Sequence, residues 1–423
     1  KANSKVNMFF IYQIIITIIL LFSPLIIFFR ILKNKEDKIR FKEKFCFFSK
    51  KRGKGKLIWF HGASVGEILS VIPLIHQYEK RRSITKILIT SNTLSSSKVL
   101  EKYKFKKTIH QFFPIDHFFL INKFLKYWQP HIAIFIDSEI WPGMTTALEN
   151  KKIPLILINA RITKRSFKKW LKFRTFSESI FNKITAAYPQ NKETKKILRE
   201  LKVNKIKELG NLKLIENIHD KQDNINRKLN IQFKRYKNWV AASTHADEEL
   251  FCAKSHIELK KKNKNLITII IPRHIHRVQE IISKIKNLNL KVVTHSSKVK
   301  ILRDVDIYIV DTFGDSKKFF KISNTVLIGG TLVPKGGQNP LEAARYGAKI
   351  LHGPYIDNFR DIFKLLITLK ISKKITSTKQ LISAITFKKD MGRAFKVKKI
   401  GVLILKKAIK ELEIYINNDP KKT

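Results

Sequence analysis

Between Leu57 and Leu351, short runs of β-branched and aromatic residues recur, each followed by a longer stretch with helical spacing, and this alternation leaves few folds open. The first series of strand-like runs is Leu57–Phe60, Lys86–Thr90, Ile109–Phe113, Ile132–Ile136, Leu155–Ile158 and Ile184–Tyr188. Helical patterns fall between and after them at Glu67–Arg82, Ser95–Tyr103, Phe118–Trp128, Lys164–Phe181 and Lys192–Leu201. From Leu212 to Asn238 the pattern dissolves into Asn, Asp, Lys and Gln, with helical character only near Leu229–Tyr236, as in a connection between domains. The alternation resumes at Trp239–Ala242, Leu266–Ile271, Lys291–Thr294, Ile307–Val310, Thr325–Ile328 and Lys349–Leu351, and a last helix near Ile400–Ile416 is expected to pack back on the first domain. Successive βαβ units predict parallel sheets covered on both faces. A chain of 423 residues suits two such α/β, doubly wound, Rossmann-like domains. The expected boundaries are 31–215 for the first domain, 216–237 for the linker and 238–423 for the second.

Residues 1–30 read differently. From Met8 to Phe29 no formal charge occurs, and the run is long enough for one transmembrane helix, which takes about 20 residues. It is too long for a signal-peptide core and no small-residue cleavage site follows, so an uncleaved N-terminal membrane anchor is expected. Arg30, Lys33, Lys35, Lys38, Arg40, Lys42 and Lys44 follow it, against Lys1 and Lys5 before it. This bias places the domains on the cytoplasmic face of a cell membrane, close to its anionic headgroups. The whole chain carries a formal net charge of +52, from 85 Lys+Arg against 33 Asp+Glu. Such a charge suits nucleic acid as well as anionic lipid, but the lysines are scattered, form no basic tail and accompany no RNP-like aromatic motif. An abundance of Lys, Ile, Asn and Phe also fits an AT-rich genome. The only cysteines, Cys46 and Cys252, form no C-x-x-C pair and no metal-ligand set, as in a reducing compartment.

At the end of the first strand stands His61-Gly62-Ala63-Ser64-Val65-Gly66-Glu67. Read physically it is strand, tight loop and helix start. Gly62 and Gly66 are expected to supply backbone angles denied to other residues, and Glu67 places a carboxylate at the mouth of a sheet. A glutamate in a first helical turn also has a plain explanation, because the helix dipole favours it there. The loop closely resembles the first signature of the 3-deoxy-D-manno-octulosonic acid (Kdo) transferases, membrane-anchored glycosyltransferases that add Kdo to the lipid A precursor. That resemblance implies a catalytic base at Glu67 and the two-domain GT-B architecture, with two Rossmann-like halves across a cleft.

In the second half, Gly329-Gly330-Thr331 is followed by Gly336-Gly337-Gln338-Asn339-Pro340-Leu341-Glu342-Ala343-Ala344. A strand ending in paired glycines, then a helix start with a nearby carboxylate, can take a phosphate on backbone amides and ribose hydroxyls on Glu342. A helix merely capped by Asn339, with proline at its first position, fits equally well. The run resembles the Kdo transferase motif G-G-[ST]…G-G-[HQ]-N-x-x-E-[AP]-A, which implies contact with CMP-Kdo, and it continues into Gly353-Pro354 and Asn358-Phe359. Ser243-Thr244-His245 and Pro272-Arg273-His274 end two strands and match the same family's S-T-H and P-R-H elements. An arginine at such a rim can clamp a phosphate bidentately, while the hydroxyls suit either a ligand or an ordinary N-cap.

Asp137-Ser138-Glu139-Ile140-Trp141-Pro142 resembles the family's x-E-x-W-P segment and makes Glu139 a second carboxylate supporting the transition state; a buried Glu paired beside Trp141 is the plain alternative. Leu209-Gly210-Asn211-Leu212-Lys213 resembles G-N-[LMT]-K, implying donor contact by Lys213. Asp311-Thr312-Phe313-Gly314-Asp315 departs from the usual D-T-x-G-E: Gly314 still admits a phosphate, but Asp315 is shorter than the glutamate it replaces. Asp304-Val305-Asp306 spells D-x-D, yet precedes a strand far from the glycine loops and reads as a solvated turn. No other His/Asp ligand cluster occurs, so neither a metal nor a cofactor is expected.

Together these implied roles describe an inverting transfer of Kdo from CMP-Kdo to the lipid A precursor (lipid IVA). Ser243, Thr244, Arg273, His274, Gly314, Asn339, Glu342 and Lys213 surround the donor, and Glu67 deprotonates the acceptor hydroxyl. Two rivals stand beside it: a GT-B transferase using a uridine nucleotide sugar on another lipid-linked acceptor, and a membrane-tethered protein binding nucleic acid without sequence specificity.

Overall fold

The computed structural model describes residues 2–215, 224–297, 304–388 and 390–417. The expected linker therefore lies partly, at 216–223, outside the described residues, as does the end of the chain from 418. The chain divides into two units, one holding residues up to 215 together with those from 401, the other holding residues 224–400.

Six parallel strands make the first sheet: β1 (Leu57–His61), β2 (Lys86–Ser91), β3 (Thr108–Phe112), β4 (Ile132–Ile136), β5 (Leu155–Ala160) and β6 (Ala186–Pro189). Their order is β3-β2-β1-β4-β5-β6, all parallel, with β1 and β4 paired so that His61 lies opposite Phe135. Apart from the edge strand β3, each strand is almost wholly buried, as expected for a sheet covered on both faces, and Trp59, Phe124, Trp128, Phe135 and Phe181 fill the interior. The second sheet has β7 (Lys237–Thr244), β8 (Leu266–Pro272), β9 (Val292–Thr294), β10 (Ile307–Ile309), β11 (Thr325–Ile328), β12 (Lys349–His352) and β13 (Ser372–Lys374), in the order β13-β12-β11-β7-β8-β10-β9. Strand direction of build reverses between β1 and β4 in the first sheet and between β7 and β11 in the second. Those two crevices, at the carboxyl ends of the strands, are where open α/β sheets bind ligands.

Three elements depart from the sequence reading. The helix expected over Lys164–Phe181 is two, Lys164–Leu171 and Arg174–Phe181. Phe173 leaves helical geometry, and Ser177 donates its hydroxyl to the Trp170 and Phe173 carbonyls across the break. The helix Pro142–Asn150 and the edge strand β13 were not anticipated. The second unit also ends earlier than 423. The helix Met391–Asn417 starts in it, but from Gly401 onward belongs with the first unit. A Cβ at Gly401 would lie 2.5 Å from the Leu214 carbonyl oxygen, so only glycine lets the helix approach there. Further along, Glu411 accepts from the Tyr188 hydroxyl at 3.1 Å and pairs with Lys207.

The apolar N-terminus forms one helix, Ala2–Leu32, and its stretch Met8–Leu32 is long and apolar enough to cross a membrane by length and composition. After it, the chain is tied to the first unit by buried carboxylates: Glu36 takes Arg30 (3.0 Å) and Lys44 (2.7 Å), and Glu43 takes Arg40 and the Phe112 amide. Of the cations expected to face headgroups, Arg30, Arg40 and Lys44 are thus engaged internally, whereas Lys33, Lys35, Lys38 and Lys42 are exposed.

Candidate active site

The turn after β1 enters the helix Val65–Glu79 through a reciprocal cap. Ser64 accepts from the Glu67 amide, and the Glu67 carboxylate accepts from the Ala63 amide at 2.7 Å, the Ser64 amide at 3.4 Å and the Ser64 hydroxyl at 2.7 Å. This is the capping box that local chemistry favours at such a start. It also fixes the carboxylate in place, half-exposed, with no ion pair among the described residues. Neither Gly62 nor Gly66 adopts a left-handed conformation, contrary to the expectation from sequence. Gly62 is needed for closeness, since its Cβ would meet Glu67 Cβ and Ile136 Cδ1 at 3.1 Å. Gly66 has open space beside it, which leaves the surface next to Glu67 clear.

Across the crevice, the end of β4 carries Asp137 and Glu139. Glu139 accepts from Trp141 Nε1 at 2.9 Å and lies 3.2 Å from His61 Nε2. His61 Nδ1 is 2.9 Å from Thr90 Oγ1, which already accepts from Trp59 Nε1. Nδ1 also lies 3.2 Å from the Thr90 carbonyl oxygen, which can only accept, and Nε2 donates to Glu139. Burial pushes the Glu139 carboxyl up, but the His61 and Trp141 hydrogen bonds and the His61 charge outweigh it, and the net shift is downward. Glu139 is thus an ionised acceptor with its partners in place. Asp137 behaves oppositely: burial, reinforced by the Glu67 and Glu139 charges against Lys213 and Arg161, pushes it up to about 6. Glu67, Asp137, Glu139, Lys213 and Arg161 hence form one charge cluster at the first switch point. Asp137 and Arg161 were not singled out for roles from sequence. The Asp137 left-handed backbone (φ 62°) gave no sequence signal beyond the residue type. Lys213 is positioned by Asn211, whose side chain accepts the Lys213 amide at 2.9 Å.

The second unit gathers a cationic set at its own switch point. Ser243 turns β7 with a left-handed backbone (φ 58°), and a Cβ at Gly329 would lie 2.2 Å from the Ser243 carbonyl oxygen, so the ends of β7 and β11 touch only because Gly329 is bare. Glu248, buried in the first turn of the helix Glu248–Lys262, accepts from the amides of His245 (2.9 Å), Gly330 (2.7 Å) and Leu332 (3.0 Å). One carboxylate thereby joins the S-T-H turn to the paired-glycine loop. Asn358 supports the far end of that loop, donating to the carbonyls of Lys335 and Gly337.

Around these turns stand His245, His274, Lys335, Arg273 and Arg277; burial first, and then those neighbouring cations, lower the His245 pKa. Arg273 and His274 are exposed, and Arg273 has no ion pair among the described residues. The Thr244 hydroxyl is buried without a partner there. Asn339 is exposed and accepts the Leu341 amide at 3.1 Å, and Glu342 opens the short helix Leu341–Arg345. Here Pro340 stands one place before the helix rather than in its first turn.

Two further sequence candidates flank β10, the parallel neighbour of β8. Gly314 (φ 86°) has no atom within 4 Å of a notional Cβ, and Asp315 pairs with Lys318 at 2.6 Å and accepts from the Thr312 hydroxyl. In the D-x-D element only Asp304 is solvated. Asp306 is buried, accepting the Lys291 amide at 2.8 Å beside His256 and Lys260, a structural tie between a helix and a strand. Among the described residues no group of His, Cys, Asp and Glu is arranged to hold a metal.

Comparison with known proteins identifies the family. A family model described as 3-deoxy-D-manno-octulosonic-acid transferase (kdotransferase) matches residues 39–215. The 3-deoxy-D-manno-octulosonic acid transferase of Rickettsia felis is 36% identical over 333 residues, covering 78% of this chain and 71% of the relative. That of Rickettsia conorii is 34% identical over 367 residues, covering 86% and 78%. Among solved structures, a putative UDP-N-acetylglucosamine 2-epimerase from Listeria monocytogenes superposes with a TM-score of 0.56 over 86% of this chain and 98% of its own, at 13% identity, a likeness of GT-B fold alone. With relatives of this similarity spanning most of both chains, the protein belongs to the 3-deoxy-D-manno-octulosonic acid transferase family and is a glycosyltransferase.

Proposed function

We propose that the protein transfers Kdo from CMP-Kdo to the acylated, bis-phosphorylated disaccharide precursor of lipid A, on the cytoplasmic side of the inner membrane, as a step in lipopolysaccharide synthesis. The observation that carries this reading is the chemical asymmetry of the two switch points: a clustered set of carboxylates with a clear approach at Gly66 in one unit, and in the other a cationic rim whose Arg273 is exposed and has no ion pair among the described residues.

In the proposed reaction the Glu67 carboxylate takes the proton from an acceptor hydroxyl. The oxygen's electron pair forms the new bond at the anomeric carbon, the bond to the phosphate breaks, and CMP leaves with that pair. A direct displacement inverts the anomeric centre. The three donors on Glu67 occupy part of its acceptor capacity, and a carboxylate has about four lone-pair sites, so one remains for the incoming proton. Arg273 and His274 hold the departing phosphate, with Ser243, Thr244, Asn339, Glu342 and Gly314 around the nucleotide and Lys213 toward the donor carboxylate. The chemistry proposed needs no metal or cofactor.

The test is incubation of membranes containing the protein with CMP-Kdo and the lipid A precursor, followed by mass analysis of the product. A mass gain of one or more Kdo units is expected. Competition by CMP but not UDP supports the cytidine donor; competition by UDP alone, without Kdo transfer, moves the assignment to a uridine nucleotide sugar.

A further inference from the structure

The N-terminal helix packs on the helix Arg174–Phe181 of the first unit. Tyr12 donates its hydroxyl to Asp116 at 2.5 Å and its ring lies 6.5 Å from that of Phe176. Ile16, Ser23 and Ile27 are buried, so the docked stripe from Tyr12 runs at spacings of four and seven along one face. At about 1.5 Å per residue, Tyr12 and Ile27 are roughly 22 Å apart along the helix axis. At the far end Arg30 binds the buried Glu36.

A helix crossing a bilayer with its C-terminal end at the domains would carry Tyr12 toward the opposite surface. Asp116 cannot follow it there. Asp116 is buried in the domain, where it also accepts the Gly143 and Met144 amides at 2.8 Å each, and an α/β domain with its loops and open strand edges cannot enter hydrocarbon. The other face of the helix suits lipid: Ile15, Ile18, Phe22, Leu25 and Phe29 are exposed, again at spacings of three and four. The exposed hydroxyl of Thr17 is satisfied by the Gln13 carbonyl of the same helix at 2.8 Å. Phe118 and Phe119, directly after His117, are exposed beside it in sequence from Asp116. The helix Arg174–Phe181 packs both on the N-terminal helix and on Lys164–Leu171, and Lys164, Arg165, Lys168, Lys169 and Lys172 line one exposed recess.

We propose that the N-terminal helix does not cross the membrane but lies lengthwise between the first unit and a single anionic leaflet, with its outer stripe in the acyl chains and the Lys164–Lys172 cations at the headgroups. This rests on the reading that the enzyme works at a membrane, and it replaces the expected spanning anchor with a one-sided one.

The topology is read without any turnover assay, so its failure is separable from failure of the proposed transfer. Ser4→Cys is introduced into the full chain, whose own thiols at Cys46 and Cys252 are buried, and probed with a membrane-impermeant maleimide in spheroplasts and in inverted inner-membrane vesicles. Labelling only in inverted vesicles is expected. A thiol silent on both sides until the membrane is dissolved also fits, because a crossing helix must expose it to water on the outer face. Labelling in spheroplasts overturns the proposal. The purified protein should float with vesicles of phosphatidylethanolamine and phosphatidylglycerol, several-fold less for Lys168→Glu with Lys169→Glu. A soluble oligomer left behind by the vesicles would assign the apolar stripe to a second copy of the chain and overturn it equally.

Discussion

Glu67 and Glu248 occupy matching places in two similarly built sheets, each in the first turn of the helix that follows the central strand. Their surroundings separate them. Glu248 is buried and accepts three backbone amides, two of them from a loop more than eighty residues further on, so its charge is spent on holding two turns together. Glu67 is half-exposed, accepts only from its own cap, and borders open space at Gly66. Position in the fold offers a carboxylate to the crevice in both cases; the partners decide whether it is left to react. The same contrast runs through the carboxylates after β4, where Glu139 is held ionised by His61 and Trp141 while Asp137 is pushed up to about 6.

The contrast can be broken experimentally. The largest effect is expected at Glu67→Gln, with turnover lower by roughly 10²–10⁴-fold and CMP affinity and thermal stability near those of the parent. Unchanged turnover would remove Glu67 as the base and dissolve the distinction. Glu248→Ala should reverse the pattern, losing stability first: buried amides left unpaired cost about 1–3 kcal/mol each, so urea unfolding should show a loss of about 3 kcal/mol or more. A stable Glu248→Ala protein with impaired turnover would make the two glutamates alike. Arg273→Ala is expected to weaken CMP binding, measured by calorimetry, by about 1.5–3 kcal/mol, the worth of a charge-assisted hydrogen bond. Smallest is Ser64→Ala, which removes the cap and should cost about 1 kcal/mol in stability. Because it also frees the Glu67 carboxylate, its turnover should fall by more than that loss of stability accounts for.

Much of this was legible because it is local. The strand runs, the helix start at Glu67 and the paired glycines are each written within a few residues, and the alternation alone implies parallel sheets. What escaped depends on distant partners. Glu248 stands out in sequence only as an acid near a helix start, and its hold on Gly330 and Leu332 follows from the β7–β11 neighbourhood. Asp306 looked solvated because D-x-D is a turn-like string, but the pairing of β10 with β8 and β9 carries it inward to His256 and Lys260. The roles of Gly62 and Gly66 were misjudged for a related reason. Both matter through the space around them, which the chain reveals only once Ile136 and Glu67 are placed.

The helix Met391–Asn417 has a consequence for biogenesis. The second unit is a continuous length of chain, whereas the first is interrupted by it and completed only by residues from Gly401 onward, whose Glu411 serves Tyr188 and Lys207. A ribosome moving from one end to the other delivers the inserted unit whole while the earlier sheet still lacks its closing helix. Domains generally fold as units during synthesis, with the N-terminal one first. Here the part made earliest must wait for the part made last.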